Sequence, residues 1–322
     1  LGFPPGLTGA VKEAMREIVH YPDRRSLDLR EALAAYHHLT PEEILVGNGS
    51  TELIYLVARA LRPHRGLIVT PAFSEYEHAL NLARIPVAFH PTEESHNFTL
   101  QEVPEPQAGD LVFLAHPASP SGVLLDPELC LRVAARVEAA GAYLLLDEAF
   151  VDFVEEASLK IHLGRFPRLL ILRSFTKFFG IPGMRLGFLL GAPELVAHLS
   201  GEQEPWSVNT MAQVMGRACL ADLQYMSRTR TLINRERQFL LHRLAALPGL
   251  TSFPSAVNYL LVKLTRRGMT AAALREQMLA HGIVIRDASN FRGLDERFFR
   301  IAVRARKENE RLLQALEQCL RI

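Results

Sequence analysis

The chain is poor in cysteine, in lysine and in net charge. Its 322 residues hold three cysteines, Cys130, Cys219 and Cys319, an odd number, far apart and without CxxC spacing. That excludes a disulfide framework and a cysteine-based zinc cluster, and it makes the cytoplasm the expected compartment. Lys and Arg number 36 against 35 Asp and Glu, a net charge of +1, so no overall excess of cation is present to neutralise nucleic-acid phosphates. No apolar run approaches the length of a membrane span; the densest stretches, 142–146 and 259–262, have the length of buried strands. The first residue is Leu1 rather than Met, so the native start is expected upstream and no targeting segment is read.

Of the 36 cationic residues only five are lysines, Lys12, Lys160, Lys177, Lys263 and Lys307, which leaves 31 arginines. Candidates for an amine nucleophile are therefore few. Fixed cationic anchors for carboxylate or phosphate are plentiful, because the planar guanidinium binds such groups bidentately. With 48% hydrophobic and 22% charged residues the composition is globular, and the length suits two unequal domains.

From residue 44 to 190 short apolar runs (ILVGNG, GLIVTP, LVFLAHP, AYLLLDEAF, LLILRSFTK, GFLLGAP) alternate with helical patterns. Runs that are apolar throughout belong to strands buried on both faces of a mostly parallel sheet, so an α/β, doubly wound large domain is predicted. After Trp206 one long helix over 209–247 is expected to bridge to an α+β layer. That layer has strands at 258–264, 283–286 and 299–303, a helix over 270–281 and a last helix from Glu308. The division reads 22–208, 209–247 and 248–322, with residues 1–21 packing near the last part.

In such sheets ligands gather at the carboxyl ends of the strands. Gly49, Ser50 and Thr51 follow a strand and open a helix, where free N–H groups and the positive dipole end suit a phosphate. Asp147 ends a strand, and in low-dielectric surroundings its carboxylate can hold a ring nitrogen protonated. Lys177 lies among aromatics, which favours its neutral, nucleophilic form. Ser174, Thr176 and Arg185 can close a cradle round the same phosphate, and Arg286 and Arg300 beside the last strands can bind anionic ends of a substrate. Each residue also has an ordinary role open to it: a helix cap for Ser50 or Thr51, a strand-end cap for Asp147, a snorkelling side chain for Lys177, a surface ion pair for Arg185. His116, at a loop start, reads as structural.

Taken together, LRSFTKFFGIPGMRLGF, DEAFVDF thirty residues upstream of its lysine, GNGSTE and PAFSEY resemble the fold type I, pyridoxal-phosphate-dependent aminotransferase superfamily over the whole chain. The resemblance implies a mostly parallel large domain with a smaller α+β domain, pyridoxal 5'-phosphate as cofactor, no metal, and a homodimer with shared active sites, away from membrane and nucleic acid. It makes Lys177 the amine that takes the cofactor aldehyde, Asp147 the partner of the pyridine nitrogen and Phe73 the ring that stacks on the cofactor. Gly49, Ser50, Thr51, Ser174, Thr176 and Arg185 would surround the cofactor phosphate, with Tyr21 of HYPD entering from the other subunit. Arg300 would take a substrate carboxylate and Arg286 a substrate phosphate, with Asn209 nearby.

EPWSVN, AVNYLL, the Phe in DEAFVDF and above all IRDASNFRGLDERFFRIAVR resemble the threonine-phosphate decarboxylases of cobalamin biosynthesis more than the neighbouring histidinol-phosphate aminotransferases. The expected reaction is decarboxylation of a phosphorylated amino acid, L-threonine O-3-phosphate, to (R)-1-amino-2-propanol O-2-phosphate. Transamination of histidinol phosphate is the alternative, and a catalytically silent cofactor-binding protein is a third reading. Two positions depart from the aminotransferase pattern: Ser119 of HPASPSG stands where Asn is usual, and Phe150 lacks a hydroxyl.

Overall fold

The computed structural model describes residues 1–266 and 268–320. Seven strands form the larger sheet: β1 (Ile44–Gly47), β2 (Arg65–Thr70), β3 (Val87–Pro91), β4 (Asp110–Ala115), β5 (Tyr143–Asp147), β6 (Leu169–Ser174) and β7 (Gly187–Leu190). Their order is β1-β7-β6-β5-β4-β2-β3. The five strands from β6 to β3 run parallel, and β7 is antiparallel to both of its neighbours, β6 and β1. Successive side chains alternate between the faces, so Val112, Leu114, Leu144, Leu146 and Ile171 enter one core while Leu111, Phe113, Leu145, Leu170 and Leu172 enter another. Both faces are covered by helices, which is why these strands read as unbroken apolar runs. Each fully buried Leu or Ile contributes about 1.5–3 kcal/mol.

A second sheet has the order β10-β11-β9-β8, built from β8 (Leu250–Ser252), β9 (Tyr259–Leu264), β10 (Arg286–Asp287) and β11 (Phe298–Ala302). Leu260, Val262, Phe299 and Ile301 face the core shared with the helices Ala271–Ala280 and Arg306–Leu320. Leu261 and Phe298 face the opposite way and pack with Phe98, which comes from the segment after β3. Arg300 alternates onto that same side, and the antiparallel register sets it directly opposite Arg286.

Three sequence expectations change here. The helix expected over 209–247 is two helices, Thr210–Ala221 and Leu223–Ala245. Asp222 breaks it at φ −93°, ψ 70° and accepts a hydrogen bond from the Tyr225 amide at 2.8 Å, capping the second helix. The strand expected over 283–286 shrinks to the two residues of β10. Residues 1–21, expected near the second sheet, instead place the helix Leu7–Glu17 against Thr210–Ala221, with Leu7 in a core of the larger sheet.

Candidate active site

At the carboxyl edge of the parallel strands lies an open pocket of about 510 Å3, lined on its other side by residues of β10, β11 and the loop between them. Lys177, Asp147, Phe73, Ser119, Phe150 and Arg300 all line it, so residues up to 227 positions apart in the chain (300 − 73) meet at one strand edge.

The turn after β1 forms one wall. Gly49 precedes the helix Ser50–Leu61 with φ +82°, ψ 158°, a conformation open essentially to glycine, and it is Gly49 that occupies the cap position rather than Ser50 or Thr51. A Cβ on Gly49 would lie 2.5 Å from Arg185 Nη2. The adjacent Gly187, first residue of β7, is equally confined: a Cβ there would lie 2.5 Å from the Ser50 amide nitrogen and 2.9 Å from the Arg173 carbonyl oxygen. These contacts bring the helix N-terminus, Arg185 and the pocket-facing Ser50, Thr51 and Thr176 together. Ser174 sits behind this wall, its hydroxyl 2.8 Å from that of Thr176. Free amides, hydroxyls and one guanidinium with no carboxylate partner among the described residues form an anion cradle.

Asp147, last residue of β5, is buried; Oδ1 accepts from the Ala149 amide at 2.8 Å and Oδ2 accepts from the Tyr76 hydroxyl. Burial pushes its carboxyl upward, while Tyr76, the Ala149 amide and Lys177 pull it down. Lys177, in the short helix Phe175–Phe178 after β6, is open to the pocket yet surrounded by protein on most sides, with Nζ 5.9 Å from the Phe150 ring centre. Burial lowers its pKa, Arg300 and Arg185 lower it further, and Asp147 opposes them. The net shift is downward, which favours the neutral amine more than in an exposed lysine.

On the far side Arg300 lies 4.5 Å over the Tyr259 ring and Arg286 donates to Asn290 Oδ1 at 3.1 Å. Neither has a carboxylate partner among the described residues, and Arg286 lowers the pKa of Arg300, whose own burial lowers it most. Two facing guanidiniums in a pocket repel one another unless an anion lies between them.

Two sequence-predicted residues lie elsewhere. Asn209 caps the helix Thr210–Ala221, accepting from the Ala212 amide at 2.8 Å, and does not line the pocket. Tyr21 is exposed, its ring 5.1 Å from that of Trp206, away from the pocket of its own chain. His116 is buried, its Nε2 3.1 Å from the Ala157 carbonyl oxygen, which fits its structural reading. Sequence reasoning missed Tyr76 and Tyr259, both inside quoted motifs. Tyr259 is buried, donates to the Ala118 carbonyl at 3.0 Å and meets Phe150 edge to face at 5.0 Å. It also missed Asn258, a pocket residue whose Oδ1 is buried without a partner.

The donor set fits pyridoxal phosphate: an anion cradle that excludes a Cβ, a buried carboxylate, a flat aromatic wall at Phe73, and a primary amine between them. The profile of the family described as aminotransferase class I and II matches residues 6–318. The chain is 36% identical to the threonine-phosphate decarboxylase of Salmonella typhimurium, over 99% of this chain and 88% of that one. It is 34% identical to a histidinol-phosphate aminotransferase of Anaeromyxobacter sp., over 99% and 88%. The crystal structure of L-threonine-O-3-phosphate decarboxylase from Porphyromonas gingivalis superposes with a TM-score of 0.88 at 29% identity, covering all of both chains. With the family profile spanning nearly the whole chain and the pocket furnished for its cofactor, the chain belongs to the class I and II aminotransferase family and is a pyridoxal-phosphate-dependent enzyme.

Proposed function

We propose that the protein decarboxylates L-threonine O-3-phosphate to (R)-1-amino-2-propanol O-2-phosphate. The observation that carries this reading is the cross-strand pair Arg286 and Arg300, which share the pocket with Lys177 and have no carboxylate of their own among the described residues. A substrate with a carboxylate and a phosphate on one small skeleton supplies an anion to each. Histidinol phosphate has only the phosphate, and the carboxylates of its transamination come with a second substrate, 2-oxoglutarate. The 36% identity to the Salmonella decarboxylase supports the same choice.

Bound pyridoxal phosphate supplies an electron sink for the pair released when a bond to the substrate Cα breaks. The protein's own groups do the rest. Lys177 presents the amine that holds the cofactor aldehyde. Asp147 would hold a proton on the ring nitrogen, and Phe73 would offer it an aromatic wall. Gly49, Ser50, Thr51, Thr176 and Arg185, with Ser174 behind them, bind the cofactor phosphate, while Ser119 offers one hydroxyl in the pocket and Phe150 an apolar wall. Arg300 would bind the substrate carboxylate and Arg286 its phosphate, and together they would set how the bonds to Cα are oriented in the pocket. That orientation selects the reaction. The net change is one CO2 lost and one proton gained at Cα, and Lys177 or a water would supply that proton.

We also propose a homodimer in which Tyr21 reaches the partner's cofactor phosphate; its 83% exposure and its distance from its own pocket support this. The 34% identity to a histidinol-phosphate aminotransferase favours a second reading, transamination. A paired assay on cofactor-loaded protein separates the two. CO2 release from L-threonine O-3-phosphate without 2-oxoglutarate-dependent turnover of histidinol phosphate is the expected result; the reverse pattern overturns the decarboxylase reading.

A further inference from the structure

Tyr76 is fully buried in the helix Glu75–Leu82, and its hydroxyl donates to Asp147 Oδ2. Its ring stacks on Phe113 at 5.0 Å with an interplanar angle of 23° and meets Phe73 edge to face at 5.9 Å and 89°. One side chain therefore touches two of the pocket residues, the carboxylate at the end of β5 and the aromatic wall, from a place that is not itself in the pocket.

We propose that Tyr76 is a positioning residue that keeps the proton on the cofactor's ring nitrogen, by donating a hydrogen bond to Asp147 and by holding Phe73 at a fixed tilt. This rests on the pairing of Asp147 with the ring nitrogen and is independent of which bond to Cα breaks. The reason is a competition for one proton. Burial makes Asp147 a stronger base than an exposed carboxylate, so without help it draws the proton off the ring and leaves a neutral pair. Three groups oppose that: the Tyr76 hydroxyl, the Ala149 amide and the Lys177 charge. Tyr259 is the other titratable group facing Asp147, and as a neutral phenol it carries no charge to offset. Burial lowers the Lys177 pKa, so its charge is the least secure of the three, and the two hydrogen bonds are the lasting contributions. Burial also pushes the Tyr76 phenol well up, with Asp147 adding to the effect, so it stays protonated and remains a donor throughout the working range.

The test uses Tyr76→Phe, which removes the hydroxyl and keeps the ring, and Phe113→Leu, which removes the stacking and keeps the hydroxyl. Both are loaded with pyridoxal phosphate labelled with 15N in the ring. In Tyr76→Phe the 15N resonance is expected to move from the pyridinium towards the neutral pyridine position, and the cofactor dissociation constant to rise about 3- to 30-fold. In Phe113→Leu the resonance stays where it is in the parent protein. In an Asp147→Asn background Tyr76→Phe has no further effect on either readout. An unmoved resonance in Tyr76→Phe, or an equal effect in both backgrounds, overturns the role of Tyr76 while leaving Asp147 in place. An unmoved resonance in Asp147→Asn alone removes the pairing with the ring nitrogen and the proposal with it. Should Tyr76→Phe prove unstable, a shift in Phe113→Leu as large as in Asp147→Asn assigns the effect to packing, which also overturns the proposal.

Discussion

Gly49 lies against the Arg185 guanidinium in a backbone conformation that L side chains rarely adopt. Alanine at position 49 would have to hold φ +82°, ψ 158°, at about 1–3 kcal/mol, and its Cβ would push the Arg185 guanidinium away from the helix N-terminus. Gly49→Ala is therefore expected to fold with a lowered melting temperature and to release its cofactor about tenfold more readily. Absorbance of the bound cofactor after gel filtration reads this out; unchanged retention would show that Arg185 has no part in the cradle. Much at this scale was legible beforehand. Lys177 stood out because lysine is scarce, and Asp147 because it ends an apolar run. Tyr76 did not, because a tyrosine in a helix gives no sign that its hydroxyl meets a carboxylate 71 residues on.

At the scale of single elements, the end of β6 is anchored by charge. Arg173 is fully buried and reaches Glu148 at 3.3 Å, Asp152 at 3.0 Å and Glu155 at 2.5 Å. It immediately precedes Ser174 and fixes the strand that leads into the short helix carrying Lys177. Burial works to raise the Glu155 carboxyl, but Arg173 and Lys160 outweigh it and hold it down at about 2. The stability this contributes is present above the ordinary 4.5 and is lost as the pH falls towards 2. Arg173→Met removes the cation from Glu148 and Asp152 and leaves Glu155 with Lys160 alone, and it is expected to lose about 3–5 kcal/mol in urea unfolding. A loss within the error of the wild-type value would show that the cluster adds nothing. The helix break at Asp222 belongs to this scale too: 221–223 reads Ala-Asp-Leu, without the Gly or Pro that marks a boundary, and the cap forms because the Tyr225 amide is free to donate to the Asp222 carboxylate.

Across the whole molecule the pocket depends on how the two sheets meet. Arg292, two residues beyond the Asn290 that holds Arg286, pairs with Glu77 at 2.9 Å and lies 3.9 Å over Phe89. Lys263 pairs with Glu94 at 2.6 Å, and Phe98 packs against Phe253 at 5.2 Å. These ties hold the arginine-bearing strands over the carboxyl edge of the larger sheet. If Tyr21 completes the partner's site, Lys177→Ala and Tyr21→Ala proteins, each inactive alone, regain about a quarter of full activity when unfolded together and refolded as a mixture, since half the dimers are mixed and each has one intact site. No recovery in a mixture that does form mixed dimers places Tyr21 outside the partner's site.

The amino-acid pattern alone was enough for the α/β class, the parallel strands and the chemical candidates, because apolar periodicity, glycine turns and strand-end polar residues act over a few neighbouring positions. It had no means of showing that Asn209 serves as a helix cap, that Ser174 stands behind Thr176, or that Arg286 and Arg300 face each other in one register. Those relations depend on strand order, on pairing between segments far apart in sequence, and on which atoms remain without partners once the sheets have packed. Relations across 14 to 71 residues, such as the register that sets Arg286 opposite Arg300 and the hydrogen bond from Tyr76 to Asp147, exist only after folding has brought their strands and helices together.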